Sequence, residues 1–196
     1  MTPALVLASG SSGRLRLLRG AGLDPEVVVS GVDETNHDGL GTADLVLALA
    51  RRKAEAIAAL RPGALILGCD SMLDLDGEAL GKPATPQDAA DAWYRLAGRE
   101  GTLLTGHWLI EGHRHASGVG ATTIRFGTPT DAEIAAYAAT CEPLTLAGSF
   151  SIDGRSAPFV DGIDGDASNV IGVSLPLLRR LLAELGIAIT DLWRPA

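Results

Sequence analysis

Apolar positions cluster into short unbroken runs early in the chain, and these runs define its first strands. Residues 4–8 and 64–69 read as buried strands, and residues 26–30 as another because Val27, Val28 and Val29 are all β-branched. Helices are predicted between and after them. One covers residues 15–19 and is closed by Gly20 and Gly22. A long one starts at Thr42 or Asp44 and runs to about Leu60, where Pro62 and Gly63 stop it. Thr85 caps a further helix with Pro86 at its first position. The run Thr130 to Glu133 is a capping box for a helix reaching Thr140. The last helix spans residues 176–185 and ends at Gly186. Asp76-Gly77 marks a hairpin turn. Strands are expected at residues 102–111 and 119–126, with the glycine-rich stretch 112–120 as the hairpin tip, and strand-like pieces at 148–152 and 157–161. Strands alternating with helices early, and hairpins later, predict an α/β fold with a mixed sheet.

Composition narrows the class. The 196 residues are 46% hydrophobic and 20% charged, which fits one domain over residues 1–196, organised as a single body or as two lobes sharing a core. Mean hydropathy is +0.21, yet no apolar stretch approaches the roughly 18 residues of a membrane span. Met1-Thr2-Pro3 carries no basic leader, so a cytoplasmic protein without a membrane partner is expected. Cys69 and Cys141 form no metal or redox motif and read as buried free thiols. The net charge of −8 argues against a nucleic-acid partner, although a few cations converging on one cleft can still bind a small anion.

Four places break the local rules. The first strand runs into Ser9, Gly10, Ser11, Ser12 and Gly13 and then into a helix carrying Arg14. Small residues admit close backbone approach, and unpaired amides at a helix start favour anions. A phosphate cradle and a plain tight turn both fit this composition. Lys53 lies in an apolar helix stripe with Leu49, Ala50 and Ile57, where it either snorkels or meets an anion in a cleft. Asp70 ends the apolar run 64–69, the position where α/β proteins bind ligands, or it caps the following turn. Asp33 and Glu34 follow another strand and are either a solvated strand end or partners of Asp70 around Mg²⁺ or Mn²⁺. Lys82 sits in the rigid turn Gly81-Lys82-Pro83. His113 and His115 lack a third ligand for zinc. Trp93, Trp108 and Trp193 are expected to pack rather than to stack on a base.

Taken in order, LASGSSGRLRLL, GVDE, RRKAEA, GCDSMLDLDGEALGKP, LAGREGTLLTGHWLI, PLTLAGSFSIDG and DGDASNVIGVSLPLLRRLL resemble the motifs of the Maf family, over residues 5–182. The resemblance implies a fold like that of inosine triphosphate pyrophosphatases, an elongated mixed sheet flanked by helices around a deep cleft. It implies a hydrolase acting on acid anhydrides that converts nucleoside triphosphates, among them dTTP, UTP or modified nucleotides, to the monophosphate and pyrophosphate with a divalent metal (Mg²⁺ or Mn²⁺). The proposed family roles are clearing the nucleotide pool and, as the alternative, a non-catalytic nucleotide-binding regulator of cell division. A homodimer is also implied. Carried over by position, Ser9, Ser11, Arg14, Lys53 and Lys82 contact the triphosphate, Glu34 and Asp70 hold metal, and Asp70 is the proton acceptor.

Three departures stand out. The family's usual Ser-Pro-Arg-Arg is Ser11-Ser12-Gly13-Arg14 here, so Arg16 or another cation substitutes for the first arginine, or triphosphate binding is weaker. Ser71 stands where the pyrimidine-preferring branch has Thr, which keeps the hydroxyl. Asp153 replaces its Gln, losing a donor and gaining a charge at a substrate-binding position.

Overall fold

A computed structural model of the chain describes residues 3–34 and 39–194. Met1 and Thr2, part of the leader reading, lie outside the described residues. In chain order the elements are β1 (Leu5–Leu7), α1 (Ser12–Gly20), β2 (Glu26–Val27), α2 (Thr42–Ala58), β3 (Leu65–Leu75), β4 (Glu78–Leu80), α3 (Pro86–Leu96), β5 (Glu100–Glu111), β6 (Arg114–Phe126), α4 (Asp131–Ala139), β7 (Val160–Gly165), α5 (Ala167–Ile171) and α6 (Leu175–Glu184). Among the described residues the strands form one sheet of order β2-β1-β3-β5-β6-β7, with β4 added to β3. Pairing is parallel at β2-β1-β3 and antiparallel elsewhere. The mixed α/β expectation holds.

Local signals placed several elements well. Thr85 and Thr130 both close reciprocal capping boxes, with Asp88 and Glu133, and Pro86 opens α3. Asp76 and Gly77 take positive φ, 55° and 86°, in the tight turn between β3 and β4. Other expectations fail for tertiary reasons. β2 stops at Val27 because β1 offers only three residues to pair with, which leaves Val29 exposed. The hairpin joining β5 to β6 turns at Gly112-His113 and pairs Glu111 with Arg114, so the glycine-rich stretch lies in the strand and not at its tip. Gly118 and Gly120 are bare because Leu177 and Asn169 press on them. Residues 148–152 and 157–161 are not a pair of strands. They begin as short 3₁₀ turns at Ala147–Ser149 and Ala157–Phe159, and only Val160 onward joins β7; Gly148 and Ser149 have φ near +60°. Cys141 is exposed, contrary to the buried thiol expected, because it forms the left-handed corner just after α4. Cys69 is buried, and burial pushes its thiol up to about 12.

On the face of the sheet away from α2, two cores share the long strands. Leu5, Leu7, Leu67, Leu178 and Leu182 belong to the one under α1 and α6. Leu73, Leu103, Phe126 and Trp93 belong to the other, against α3 and α4. Trp93 is fully buried, stands edge-on to Phe126, Tyr137 and Phe159, and donates its indole N–H to the Ser149 carbonyl at 2.9 Å. β3 passes from the first core to the second between Cys69 and Leu73.

α2 lies across the opposite face of β3 and β5. It can do so because Gly68 and Gly106 present bare backbone: a Cβ on Gly68 would overlap the Ala50 carbonyl oxygen, and one on Gly106 would overlap that of Val46. Gly68 precedes Asp70 on the same face of β3, and Gly106 is the residue directly opposite Asp70 across the ladder. The helix is gripped at two points. The Thr42 hydroxyl donates to Asp74, and the Lys53 ammonium meets Asp70. Those helix positions are about 16 Å apart along the axis, and the strand positions about 13 Å apart, so one rigid helix spans both.

α6 is fixed by His107. This fully buried imidazole donates from Nδ1 to the Thr105 carbonyl at 3.0 Å, and its Nε2 accepts the Ser174 N–H at 2.8 Å. Burial pushes its pKa down to about 4.

Two outcomes are expected. Gly68→Ala should destabilise by about 3 kcal/mol, because the helix must lift off the sheet; denaturant titration giving less than about 0.5 kcal/mol would contradict the close approach. The unfolded His107 takes a proton near pH 6.5, the folded one only near 4. Its contribution, on the order of 3 kcal/mol, is therefore full above pH 6.5 and drains away as pH falls toward 4. Melting curves from pH 7 to 4.5 should fall more steeply for the native protein than for His107→Gln, and equal slopes would rule His107 out.

Candidate active site

The site lies at a gap in the sheet. One edge of β3 pairs with β1 at Leu65–Leu67 and with β4 at Leu73–Leu75. Residues 68–72 lie between these partners, and Asp70 and Ser71 are among them. Asp70 is therefore not the last residue of a strand, as the apolar run suggested; β3 continues through it, and the strand ending beside it is β1. The chain leaving β1 turns at Ser9–Ser11 into α1 at the mouth of this gap.

Adjacent residues of β3 face opposite ways, so the gap collects side chains from both faces of the sheet. On the α2 face, Lys53 Nζ touches Asp70 Oδ1 at 2.5 Å and Glu34 Oε1 at 2.8 Å. Lys53 and Asp70 are 6% and 5% exposed; the alternative that Lys53 merely snorkels is excluded. Asp70 Oδ2 has no hydrogen-bond partner among the described residues. On the other face, the Ser71 hydroxyl meets Arg14.

Arg14 is 8% exposed, and neutral oxygens surround it. Its Nε donates to the Gly172 carbonyl at 2.9 Å, Nη1 to Ser9 Oγ at 2.9 Å and Nη2 to Ser71 Oγ at 3.0 Å. No carboxylate among the described residues pairs with it, so a buried cation is held without a counter-charge, the state that an anionic ligand stabilises. Ser9 Oγ also accepts the Ser11 N–H at 3.2 Å, and Ser11 Oγ caps α1 by accepting the Arg14 N–H at 3.3 Å. Both serines are acceptors in these bonds, which leaves their protons free to be donated to a ligand.

The other expected residues lie further out. Lys82 is exposed just beyond β4, with no ion pair among the described residues. Asp153 is joined to Arg16 at 2.8 Å at the rim of a cavity of about 380 Å³, lined also by Gly13, Leu17, Ile171 and Leu175. Burial raises the Asp153 carboxyl, but the Ser151 and Arg16 hydrogen bonds outweigh it and hold the group below its ordinary value. Gly13 is not demanded by sterics, since a Cβ there would meet nothing closer than 3.6 Å. Thus two of the positions that depart from the family pattern border one cavity, and Arg16, one turn along α1 from Gly13, supplies the cation beside it. Among the described residues, His113 and His115 join no cluster that could hold a metal; His115 stacks on Trp108 at 4.9 Å, and Arg51 lies 5.3 Å from the same indole.

The family model described as Maf-like protein matches residues 4–185. The chain belongs to that family. A Streptomyces coelicolor protein named nucleoside triphosphate pyrophosphatase is 60% identical over 205 residues, covering 100% of this chain and 99% of that protein. One of the same name from Streptomyces avermitilis is 59% identical, covering 97% and 95%. Among solved structures, the Staphylococcus aureus Ham1 protein superposes with a TM-score of 0.52 at 13% identity, covering 93% of this chain and 99% of that one, which bears out the expected fold.

The sequence missed α5 and the part it plays: the carbonyl of Gly172, just past its end, holds Arg14. The helix has five residues, too few for an apolar period, though Asp166 as its cap was a usable signal.

An uncompensated guanidinium predicts stabilisation by anions. Inorganic pyrophosphate at about 100 times its Kd should stabilise the protein by about 2.7 kcal/mol, a rise in Tm of roughly 5–10 °C, and Arg14→Gln should lose most of that rise. An equal rise in the variant would place the anion elsewhere.

Proposed function

We propose that this protein hydrolyses nucleoside triphosphates to the monophosphate and pyrophosphate. The buried Lys53–Asp70 contact and an Arg14 that no carboxylate among the described residues pairs with, both at one gap in the sheet, are what carry the reading. The names of the full-length relatives support it.

Arg14, the Ser9 and Ser11 hydroxyls and the amides leading into α1 bind the triphosphate oxygens, with Lys82 reaching in from beyond β4. This holds the α-phosphorus over the open edge of β3. Lys53 fixes Asp70 through Oδ1, which leaves Oδ2 to orient a water and accept its proton as the oxygen attacks the α-phosphorus and the bond to the departing pyrophosphate breaks. Most of the rate gain comes from positioning and from preorganised charge. The cavity beside Arg16 and Asp153 is large enough for a nucleobase, and its apolar wall suits the base faces.

The carboxylates fit a divalent cation. Asp70 and Glu34 already converge on one positive centre, the Lys53 ammonium, and hard oxygen donors of this kind suit Mg²⁺ or Mn²⁺, with waters and phosphates filling the other positions. When bound, the ion would neutralise charge on the phosphate oxygens.

A pyrophosphate-release assay over natural and modified triphosphates with Mg²⁺ or Mn²⁺ tests this. The native protein should turn over, and Asp70→Asn should lose at least about a hundredfold in kcat, the order of a general-base contribution, while still binding pyrophosphate. Tight nucleotide binding with no turnover of any triphosphate would instead support the regulator reading.

A further inference from the structure

The hydrogen bonds behind Arg14 have a fixed direction. Thr105 Oγ1 donates to the Asn169 carbonyl oxygen at 3.2 Å, and a carbonyl can only accept. That uses the one proton Thr105 has. The 2.9 Å contact between Ser71 Oγ and Thr105 Oγ1 must therefore have Ser71 as donor. With its proton turned toward Thr105, Ser71 presents a lone pair to Arg14 Nη2 at 3.0 Å. The chain runs one way, from guanidinium to Ser71 to Thr105 to Asn169.

The far end is anchored. Asn169 is fully buried, and its amide donates to the Leu103 carbonyl at 3.1 Å and to Thr122 Oγ1 at 3.2 Å. Thr122 in turn donates to the Asp166 carbonyl at 2.9 Å. Ser71 and Thr105 are directly opposite each other across the β3–β5 ladder, and Thr105 faces Gly120 across the β5–β6 ladder. A side chain at Gly120 would occupy the place of the Asn169 amide. The α5 segment thus reaches the guanidinium twice, through the Gly172 carbonyl on Nε and through Asn169, Thr105 and Ser71 on Nη2.

The geometry points to Thr105 and Asn169 as positioning residues for anion binding by Arg14. Neither touches the ligand. Thr105 orients the Ser71 hydroxyl, and Asn169 holds the acceptor that orients Thr105. Without the Thr105 hydroxyl, the Ser71 proton is free to turn toward Arg14, where it repels the guanidinium and lets it swing. The inference rests on the reading of Arg14 as a triphosphate-binding residue.

The test measures Kd for inorganic pyrophosphate by calorimetry, and kcat and KM for the best triphosphate. Thr105→Val should weaken pyrophosphate binding and raise KM by about tenfold, with a smaller change in kcat; Thr105→Ser, which restores the hydroxyl, should lie within about twofold of native. Ser71→Ala combined with Thr105→Val should be no worse than Ser71→Ala alone, since both act through one link. Native Kd and KM in Thr105→Val, or multiplied effects in the double variant, would overturn the proposal. If Thr105→Val does not fold, Thr105→Ala removes the same hydroxyl without adding a methyl and is read by the same criteria. Arg14→Gln is run in parallel. Unchanged pyrophosphate affinity in that variant would overturn the reading of Arg14 itself, whereas lost affinity there with a native-like Thr105→Val would overturn only the positioning role.

Discussion

The close approach of α2 to bare backbone at Gly68 and Gly106 is the constraint on which the rest depends. A lysine on an apolar helix stripe reaches a carboxylate in mid-strand only if the helix rides on the sheet without intervening side chains. The two glycines flank Asp70 along the strand and across it, so the surface is cleared where the Lys53 ammonium must descend. Breaking such a buried pair by removing one partner is costly, because the other charge is left alone in a poor solvent. The pair is therefore built into the packing, with the Thr42–Asp74 bond fixing the helix at its other end.

The second condition is the interruption of the sheet. β1 and β4 share one edge of β3 and leave residues 68–72 between them. Because strand residues alternate sides, this gap is where chemistry from both faces meets. Lys53, Asp70 and Glu34 come from the α2 side; Arg14, Ser9 and Ser71 come from the α1 and α5 side. The two sides have opposite characters. One balances an ammonium with carboxylates, and the other holds a guanidinium with, among the described residues, neutral oxygens. On the proposed function, an anion would be drawn to the side with unbalanced positive charge, and a triphosphate would be oriented by it.

Features set by a few neighbouring residues were legible in the sequence. The Thr85 cap, the Thr130 capping box and the Asp76-Gly77 turn need no information beyond their own segment. Lys53 and Asp70 were legible as violations, a lysine in an apolar stripe and a carboxylate in a buried run. What made them meet was not legible, because Gly68 and Gly106 are ordinary glycines until a helix is laid on them. The extent of β3 was misjudged for a similar reason: whether a strand continues past a carboxylate depends on which partners pair with its edges. Arg16 and Asp153 were flagged singly, one as a candidate substitute for a missing cation and the other as a charge that replaces an amide. Their contact joins segments 137 residues apart in sequence, and no local pattern announces it. Asn169 was missed because a buried side-chain amide in a five-residue helix carries no periodic signal.

On the proposed mechanism, a water oriented by Asp70 attacks the α-phosphorus of a nucleoside triphosphate held by Arg14. The most direct test is turnover in water enriched in ¹⁸O, followed by mass spectrometry of both products. The label should appear in the nucleoside monophosphate and not in the pyrophosphate. Label in the pyrophosphate would mean attack at the β-phosphorus, and would contradict the placement of the α-phosphorus over the gap at Asp70.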